Sequence, residues 1–196
     1  MFVLTAPRPL IGGVIPDERP ARWAVNAALV LAGSLVLWTS AKIQVPFYPV
    51  PMTLQTLAIM VIAATFGMRL GVATVLLYLA EGAFGLPVFA GTPEKGIGLA
   101  YMVGPTGGYL AGYILAAGLV GWLAERGFDR NIFRLFGAMF VGDAVIFALG
   151  ILWLGTLLGW DKPILDWGLY PFVFGDLTKS ALAASIVVAG RRIMQR

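Results

Sequence analysis

Long stretches without a charged residue divide this chain, and they constrain its fold more than any other feature. The first runs from Trp23 to Ala41, 19 residues with no charged side chain. An α-helix needs about 20 apolar residues to cross the hydrocarbon core of a bilayer. In the whole chain 59% of residues are hydrophobic and 12% are charged, roughly half the charged fraction of an average soluble domain. Such a chain could not cover its own surface in water, so the pattern predicts an all-α integral membrane protein.

The charge-free stretches predict six transmembrane helices, which form a single membrane domain over residues 1–196. The expected spans are at about 23–41, 53–67, 70–89, 107–124, 133–154 and 168–190. Pro46, Pro49 and Pro51 keep the residues before the second span out of a helix, because proline in a helix interior removes a hydrogen bond and clashes with the preceding turn. The sequence Gly67–Arg69 leaves almost no loop between the second and third spans.

The distribution of basic residues predicts the orientation of these spans. Ten arginines lie on one expected side, in four separate segments: Arg8, Arg19, Arg22, Arg69, Arg126, Arg130, Arg134, Arg191, Arg192 and Arg196. The other side has Lys42, Lys95 and Lys162. Because lysine and arginine concentrate in cytoplasmic loops, we expect both termini in the cytoplasm and a multi-pass protein of the cytoplasmic membrane. This topology explains the net charge of +4, and we expect no binding of nucleic acid.

Two reactive side chains are missing from the chain, which contains no His and no Cys. Their absence excludes Ser–His and Cys–His catalytic relays, and with them an intramembrane serine protease of the Ser–His type. It also excludes zinc sites built on imidazole or thiolate ligands. We therefore expect no catalytic residues and no bound metal.

Asp176 and Lys179 stand out because both lie inside the sixth expected span. A charge at the bilayer centre costs at least about 2.5–3.5 kcal/mol, so such residues are functional candidates. Their spacing of three places them on one helix face. They form either an ion pair that only neutralises itself or the polar floor of a cavity open to the outside. We favour the cavity, in which Lys179 meets an anionic solute and Asp176 accepts hydrogen bonds from its N–H groups.

Two further acidic residues lie in expected spans, and the sequence leaves two interpretations for each. Glu81, late in the third span, either faces a cavity or marks the helix end at the membrane interface. Asp143, in the fifth span, either contacts an Asn or Ser on another helix or lines the cavity.

The two longest outer connections, residues 42–52 and 82–108, are rich in proline, glycine and aromatic residues. Irregular backbone at this depth is tolerated where it lines a cavity. Their aromatic side chains either form an apolar cavity wall or belong to a belt at the membrane interface. The candidates are Phe47, Tyr48, Phe84, Phe89 and Tyr101.

Small residues recur every four positions in two places, which allows helices to approach closely. One stripe comprises Gly104, Gly108 and Gly112 at the start of the fourth span, and the other comprises Ala24, Ala28 and Ala32 along the first. Internal packing is the usual explanation for either stripe. The alanine stripe is equally suited to docking another membrane protein.

Two classes of function remain. The first is capture of a small anionic nutrient that forms hydrogen bonds. The second is an intramembrane aspartyl protease using Asp143 and Asp176, each of which follows a glycine. Against the protease, neither Gly–Asp pair extends to Gly-x-Gly-Asp, and Lys179 would hold Asp176 ionised when a catalytic dyad must share a proton. We favour solute capture.

Four segments of the chain resemble the signature segments of the BioY family, the biotin-specific substrate-capture (S) components of energy-coupling-factor (ECF) transporters. They are VPMTLQT at 50–56, GLPVFAG at 85–91, GPTGGYL at 104–110 and GDLTK at 175–179. They occur in the family's order, and the resemblance extends over about residues 23–190.

The resemblance implies a six-helix S-component fold that holds biotin near its outer face. It implies a transmembrane coupling (T) protein and cytoplasmic ATPases as partners, which would use ATP, since this chain lacks a Gly-x-x-x-x-Gly-Lys-Ser/Thr phosphate loop. It also implies docking of the T protein on Ala24, Ala28 and Ala32. Biotin is then the transported ligand, and no cofactor is implied. The substrate-binding residues are expected to be Asp176, Lys179, Gln55, Thr53, Glu81, Tyr101, Gly104 and Tyr109, with Lys95 beside a matching segment.

The chemistry of biotin fits these residues. Its carboxylate, its ureido group and its apolar fused rings complement a lysine, a carboxylate, an amide and an aromatic wall. We expect Lys179 to pair with the carboxylate and Asp176 with a ureido N–H, or the reverse. An S component for another vitamin remains an alternative, although cationic thiamin is disfavoured beside a lysine. Uptake without the ATPase module also remains open.

Overall fold

The computed structural model describes residues 10–13, 15–16, 18–94 and 96–194, and this part of the chain is predominantly helical. The α-helices are α1 Arg19–Lys42, α2 Gln55–Ala83, α3 Gly98–Met102, α4 Gly107–Ala124, α5 Ile132–Leu158, α6 Ile164–Gly168 and α7 Tyr170–Met194. Single-turn 3-10 helices occupy Leu10–Gly13 and Phe128–Arg130. Two short strands, β1 Gln44–Val45 and β2 Met52–Thr53, pair antiparallel and tie together the connection between α1 and α2. The predicted all-α class is confirmed, while Arg8, Lys95 and Arg196 lie outside the described residues.

Among the described residues, five helical units are long and apolar enough to cross a membrane. They are α1, α2, α4, α5 and the unit Ile164–Met194, which joins α6 to α7. The fourth predicted span, 107–124, coincides with α4. The third predicted span was expected to end at residue 89, but its helix ends at Ala83, since the chain turns at Gly85 with φ of 94°.

The second and third predicted spans both lie in α2, which is a hairpin of two helical arms. Gly67 interrupts the helix with φ of 81° and ψ of 179°, a conformation that side-chain-bearing residues rarely adopt. The Gln55 amide donates a hydrogen bond to the Tyr78 hydroxyl at 2.8 Å. In a continuous helix these residues would lie about 35 Å apart. Residues 55–66 and 68–83 therefore pack side by side and antiparallel.

Helix α4 packs closely against α5 through two glycines of the predicted stripe. A Cβ added to Gly108 would lie 2.3 Å from the Trp153 Cβ, and one added to Gly112 would lie 2.7 Å from the Ile146 Cα. The third glycine of that stripe, Gly104, precedes α4 and has a different contact, because its carbonyl accepts a hydrogen bond from the Trp153 indole at 2.8 Å. Its inclusion in a helix-packing stripe was wrong.

The hairpin turn at Gly67 lies against the end of α4. The Glu125 carboxylate accepts a hydrogen bond from the backbone N–H of Met68 at 2.9 Å, which caps the second arm of α2. The hairpin turn lies at one end of the helix bundle. At the other end, the two arms of α2 come together with α4, α5 and α7, beside β1 and β2.

Candidate ligand-binding site

A cavity opens at the end of the helices opposite the hairpin turn, and together with the open space at its mouth it measures about 540 Å³. Its polar lining consists of Thr53, Gln55, Thr56, Thr106, Asp176 and Lys179. Its aromatic lining consists of Phe89, Tyr101, Tyr109, Tyr113, Phe147 and Phe172. Six of the eight residues proposed from sequence to bind substrate lie in this lining: Thr53, Gln55, Tyr101, Tyr109, Asp176 and Lys179.

Asp176 and Lys179 form an ion pair in the cavity wall. They lie one helical turn apart on α7, and the Lys179 ammonium contacts Oδ1 of Asp176. The same oxygen accepts a hydrogen bond from the Thr56 hydroxyl at 2.7 Å, and the ammonium donates to the Thr53 carbonyl at 2.9 Å. Only 4% of Asp176 is exposed. The network combines the two alternatives left open by the sequence, since the charges neutralise each other and also line the cavity.

Gln55 is held in place by a chain of hydrogen bonds that leads away from the cavity. As the first residue of α2 it is buried, and its amide donates to the Tyr78 hydroxyl at 2.8 Å. Tyr78 in turn donates to the carbonyl of Val88 at 3.1 Å. The second arm of the hairpin therefore fixes the Gln55 side chain and also contacts the connection that follows α2.

Aromatic rings form two sides of the cavity. Phe89 and Tyr101 stack with a centroid distance of 4.8 Å and an interplanar angle of 14°. On the other side, the ring centroid of Phe147 lies 6.3 Å from that of Tyr109 and 6.0 Å from that of Phe172. One stacked pair and one group of edge-on and tilted rings, together with the polar groups of the lining, suit a flat or bicyclic ligand with hydrogen-bonding edges.

The other three aromatic candidates lie elsewhere. Phe47 packs against Phe172 with ring centroids 6.0 Å apart, outside the lining. Tyr48 and Phe84 are 86% and 91% exposed. Their exposure fits the alternative of a belt at the membrane interface.

Two residues proposed from sequence lie outside the cavity lining. The Glu81 carboxylate accepts a hydrogen bond from the buried Ser34 hydroxyl on α1. Gly104 contacts Trp153, as described above, although its loop carries Thr106 into the lining.

Asp143 is also outside the lining, and its contact decides between the two interpretations of this residue. Its Oδ2 accepts a hydrogen bond from the Ser180 hydroxyl on α7 at 2.5 Å, and 6% of the residue is exposed. It therefore contacts a serine on another helix, as one of the two interpretations predicted. Asp143 and Asp176 do not share the cavity, as a two-aspartate catalytic centre would require.

The alanine stripe on α1 faces outward. Ala24, Ala28 and Ala32 are all exposed, and so are the neighbouring Leu31 and Leu35. The opposite side of α1, with Gly33 and Leu37 buried, packs mainly against α2. Internal packing among the described residues therefore does not explain the stripe.

Sequence reasoning did not select several residues of the site. Thr56 lies within the recognised segment 50–56, yet nothing distinguished it from other threonines. Tyr78, Phe147 and Phe172 lie in apolar runs where an aromatic residue carries no distinctive signal. Each is recognisable only once the helices are packed.

Comparison with known proteins adds independent information. Residues 17–196 match the model of the BioY family. The chain is 38% identical to the biotin transporter BioY of Thermotoga maritima over 168 residues, covering 84% of this chain and 96% of that protein. It is 36% identical to the biotin transporter BioY of Rhizobium etli over 180 residues, covering 87% and 90%.

The fold also matches a solved structure. A crystal structure described as the S-component for biotin from an ECF-type ABC transporter superposes with a TM-score of 0.75 and covers 92% of this chain and 96% of that one. The sequence identity is 24%, so this likeness establishes the fold.

Proposed function

Because this chain belongs to the BioY family, we propose that it captures biotin at the cell membrane as the S component of an ECF-type ABC transporter. The observation that carries the proposal is that Asp176, Lys179 and Gln55 lie in the lining of one cavity together with aromatic side chains. The family's similar members are biotin transporters, and the structure with the same fold is a transporter S-component, so this chain is a transport protein and not an enzyme. The aspartyl protease alternative lacks support, since Asp143 is bound to Ser180 outside the cavity.

The contact between Asp176 and Lys179 bears on how biotin would bind. The carboxylate and the ureido group lie at opposite ends of biotin, whereas the two side chains touch each other. Adjacent charges of opposite sign match a ureido edge, where an N–H donor and the carbonyl acceptor are neighbours. We therefore assign both side chains to the ureido end, which differs from the division expected from sequence. The fused rings would lie between the aromatic walls.

Binding measurements test the function directly. The purified chain in lipid nanodiscs is expected to bind biotin, to carry it through purification as identified by mass spectrometry, and to bind neither riboflavin nor thiamin. Binding of riboflavin in preference to biotin, or no binding of biotin, would reject the proposal.

Lys179→Met tests the assignment of the ureido end. Because this substitution removes a charged hydrogen-bond donor, we expect the affinities for biotin and for biotin amide to fall together, each by about 10- to 100-fold. Calorimetric titration of both ligands measures the two losses, with Lys162→Met as a control at an exposed lysine. If the variant instead loses its preference for biotin over the amide, Lys179 contacts the carboxylate.

We further propose that both arms of α2 cross the membrane, which gives six crossings with both termini in the cytoplasm. The arms are about 18 and 24 Å long, and the irregular connections beside the cavity would complete each crossing. An even number of crossings puts the arginine-bearing segments on one side and the cavity on the other, as the positive-inside rule requires.

The partners follow from the same proposal. A T protein would dock on the exposed stripe of Ala24, Ala28 and Ala32, and cytoplasmic ATPases would supply energy. Small residues suit such an interface, because they let a partner helix approach the α1 backbone closely.

Ala28→Leu is expected to lower biotin uptake about tenfold or more in cells that contain the T protein and the ATPases, while biotin binding to the purified chain stays unchanged. The added side chain would hold a partner helix away from α1. Ala144→Leu, at an exposed alanine on α5, is the matched control and should take up biotin normally. Equal uptake by the two variants would exclude the stripe as the docking surface. Full uptake by the wild-type chain without partners would exclude their requirement.

A further inference from the structure

Residues 86–92, which we call the cap segment, form part of the cavity wall without being helical. The segment contributes Phe89 and Ala90 to the lining, and the ring of Phe89 stacks on Tyr101. Both cavity residues are almost fully buried, with 1% and 3% exposed. The position of this short segment therefore decides whether one aromatic side of the cavity is closed.

Helix α2 holds the cap segment at two points. The Tyr78 hydroxyl donates to the Val88 carbonyl at 3.1 Å. The ring of Phe89 lies directly on Gly82, where an added Cβ would be 2.1 Å from the Phe89 Cζ. These contacts fix the first half of the segment against the second arm of the hairpin.

The second half is held by Lys42, the last residue of α1. Its ammonium donates to the Phe89 carbonyl at 2.9 Å, to the Thr92 hydroxyl at 2.9 Å and to the Thr92 carbonyl at 3.3 Å. The Phe89 carbonyl also accepts a hydrogen bond from the Thr92 hydroxyl at 2.7 Å. One ammonium thus donates hydrogen bonds to three oxygens of the segment. Hydrogen bonds from a charged donor are stronger than those between neutral groups.

The position of Lys42 is informative because α1 has no other role in the cavity. None of its residues lines the cavity, and its outward face carries the stripe proposed for docking. Lys42 is therefore a direct polar connection between α1 and the wall that carries Phe89. Sequence analysis treated this lysine only as one of the outer-side charges.

We propose that Lys42 is a positioning residue that holds the cap segment closed over bound biotin and so sets the rate at which biotin leaves. The inference rests on the proposed function, since it concerns retention of the same ligand. Without the ammonium, the Thr92 carbonyl loses this donor, and the Phe89 carbonyl keeps only its local hydrogen bonds from Thr92, so the ring contacts of Phe89 alone hold this half of the segment. The segment then opens more often, and the dissociation rate rises more than the association rate changes.

The absence of cysteine from the chain provides a direct assay of opening. Ala90→Cys introduces one buried thiol, which reacts with a membrane-impermeant maleimide only when the cap segment opens. In nanodiscs, with no biotin added, Lys42→Met is expected to speed labelling about tenfold. Biotin dissociation, followed by chasing radiolabelled biotin with unlabelled biotin, should speed up by a similar factor.

Matched variants separate positioning from general loss of structure. Lys42→Arg keeps a charged donor and should stay within about twofold of wild type in both assays. Lys162→Met removes an exposed lysine and should have no effect. Thr92→Val removes one of the three acceptors and should speed dissociation about threefold, which keeps the test available if Lys42→Met does not fold. Thermal unfolding of each variant is measured alongside.

Three results would overturn the proposal. Unchanged labelling and dissociation in folded Lys42→Met or Thr92→Val would show that the contacts do not hold the segment. Labelling and dissociation that speed up in Lys42→Arg as much as in Lys42→Met would show that the charged donor is not the cause. If Lys42→Met releases biotin faster but releases biotin amide at the wild-type rate, Lys42 contacts the biotin carboxylate. If the wild type binds no biotin, the proposed function fails, while the labelling rates still decide whether Lys42 holds the cap segment.

Discussion

Asp176→Ala is expected to lower the affinity for biotin by about a hundredfold or more. The substitution removes the acceptor proposed for a ureido N–H, and it also leaves Lys179 without its counter-ion in the wall of a membrane-embedded cavity. A hundredfold loss of affinity corresponds to about 2.7 kcal/mol, which is the order expected when a charged hydrogen-bond partner of the ligand is removed. The uncompensated Lys179 charge lowers the stability of the unliganded chain as well.

Companion variants show which of these two effects dominates. Thr56→Val removes one hydrogen bond to Oδ1 but keeps both charges, so its loss of affinity should be nearer tenfold. In the double variant Asp176→Ala/Lys179→Met, no unpaired charge remains. Thermal stability should return toward the wild-type value while biotin affinity stays low. Calorimetry and thermal unfolding in nanodiscs measure the two quantities. Wild-type affinity in the double variant would show that neither side chain contacts the ligand.

The charged part of the site was predictable because its residues are out of place in their surroundings. Asp176 and Lys179 interrupt an apolar span, and such an interruption is costly unless it has a use. Gln55 and Thr53 were found through the resemblance of residues 50–56. All four lie in one cavity lining, although their contact with biotin remains a proposal.

The aromatic side of the site was only partly predictable. Phe89 and Tyr101 attracted notice because they lie in glycine-rich connections. Phe147 and Phe172 are ordinary apolar residues of membrane helices, where many phenylalanines face lipid or the helix core. Which ones face a cavity depends on how the helices rotate about their axes, and a single sequence with weak amphipathic pattern does not specify that rotation.

Glycine spacing shows the same limitation. Gly104, Gly108 and Gly112 share a spacing of four, but α4 begins at Gly107, so the spacing has meaning for only two of them. The turn at Gly67 was expected from the short sequence between two apolar stretches. The contact between the two arms of α2 was not, because it depends on the particular φ and ψ at that glycine.

Arg191 has a structural role in addition to the role in topology that its position predicts. Its place at the end of the last span fits the positive-inside rule, and sequence analysis assigned it to topology alone. In the folded chain it is 6% exposed, and its guanidinium Nη2 lies 2.5 Å from Oδ2 of Asp129, which is fully buried. Asp129 lies in the 3-10 helix between α4 and α5, so the pair fastens this turn to α7.

Arg191→Met is therefore expected to destabilise the fold by about 3–5 kcal/mol, since breaking a buried ion pair leaves an uncompensated charge. Arg192→Met, at the exposed neighbouring arginine, should change stability by less than about 0.5 kcal/mol. The double variant Asp129→Asn/Arg191→Met removes both charges and should recover most of the loss. Unfolding midpoints in detergent, calibrated by denaturant titration, measure these differences. A double variant as unstable as Arg191→Met would show that the pairing of charges is not the cause.

The loss of stability in Arg191→Met should also depend on pH in a definite direction. Burial raises the pKa of Asp129, and the Arg191 guanidinium opposes that rise. Without Arg191 the pKa of the buried carboxyl rises further above its unfolded value, so the folded variant binds a proton more tightly than the unfolded chain does. Stability is then retained at low pH and lost as the pH rises through the folded-state pKa. Arg191→Met should consequently lie closer to wild type at pH 5 than at pH 8. Biotin affinity in the folded variant should be unchanged at either pH, because the pair lies at the end of the helices opposite the cavity.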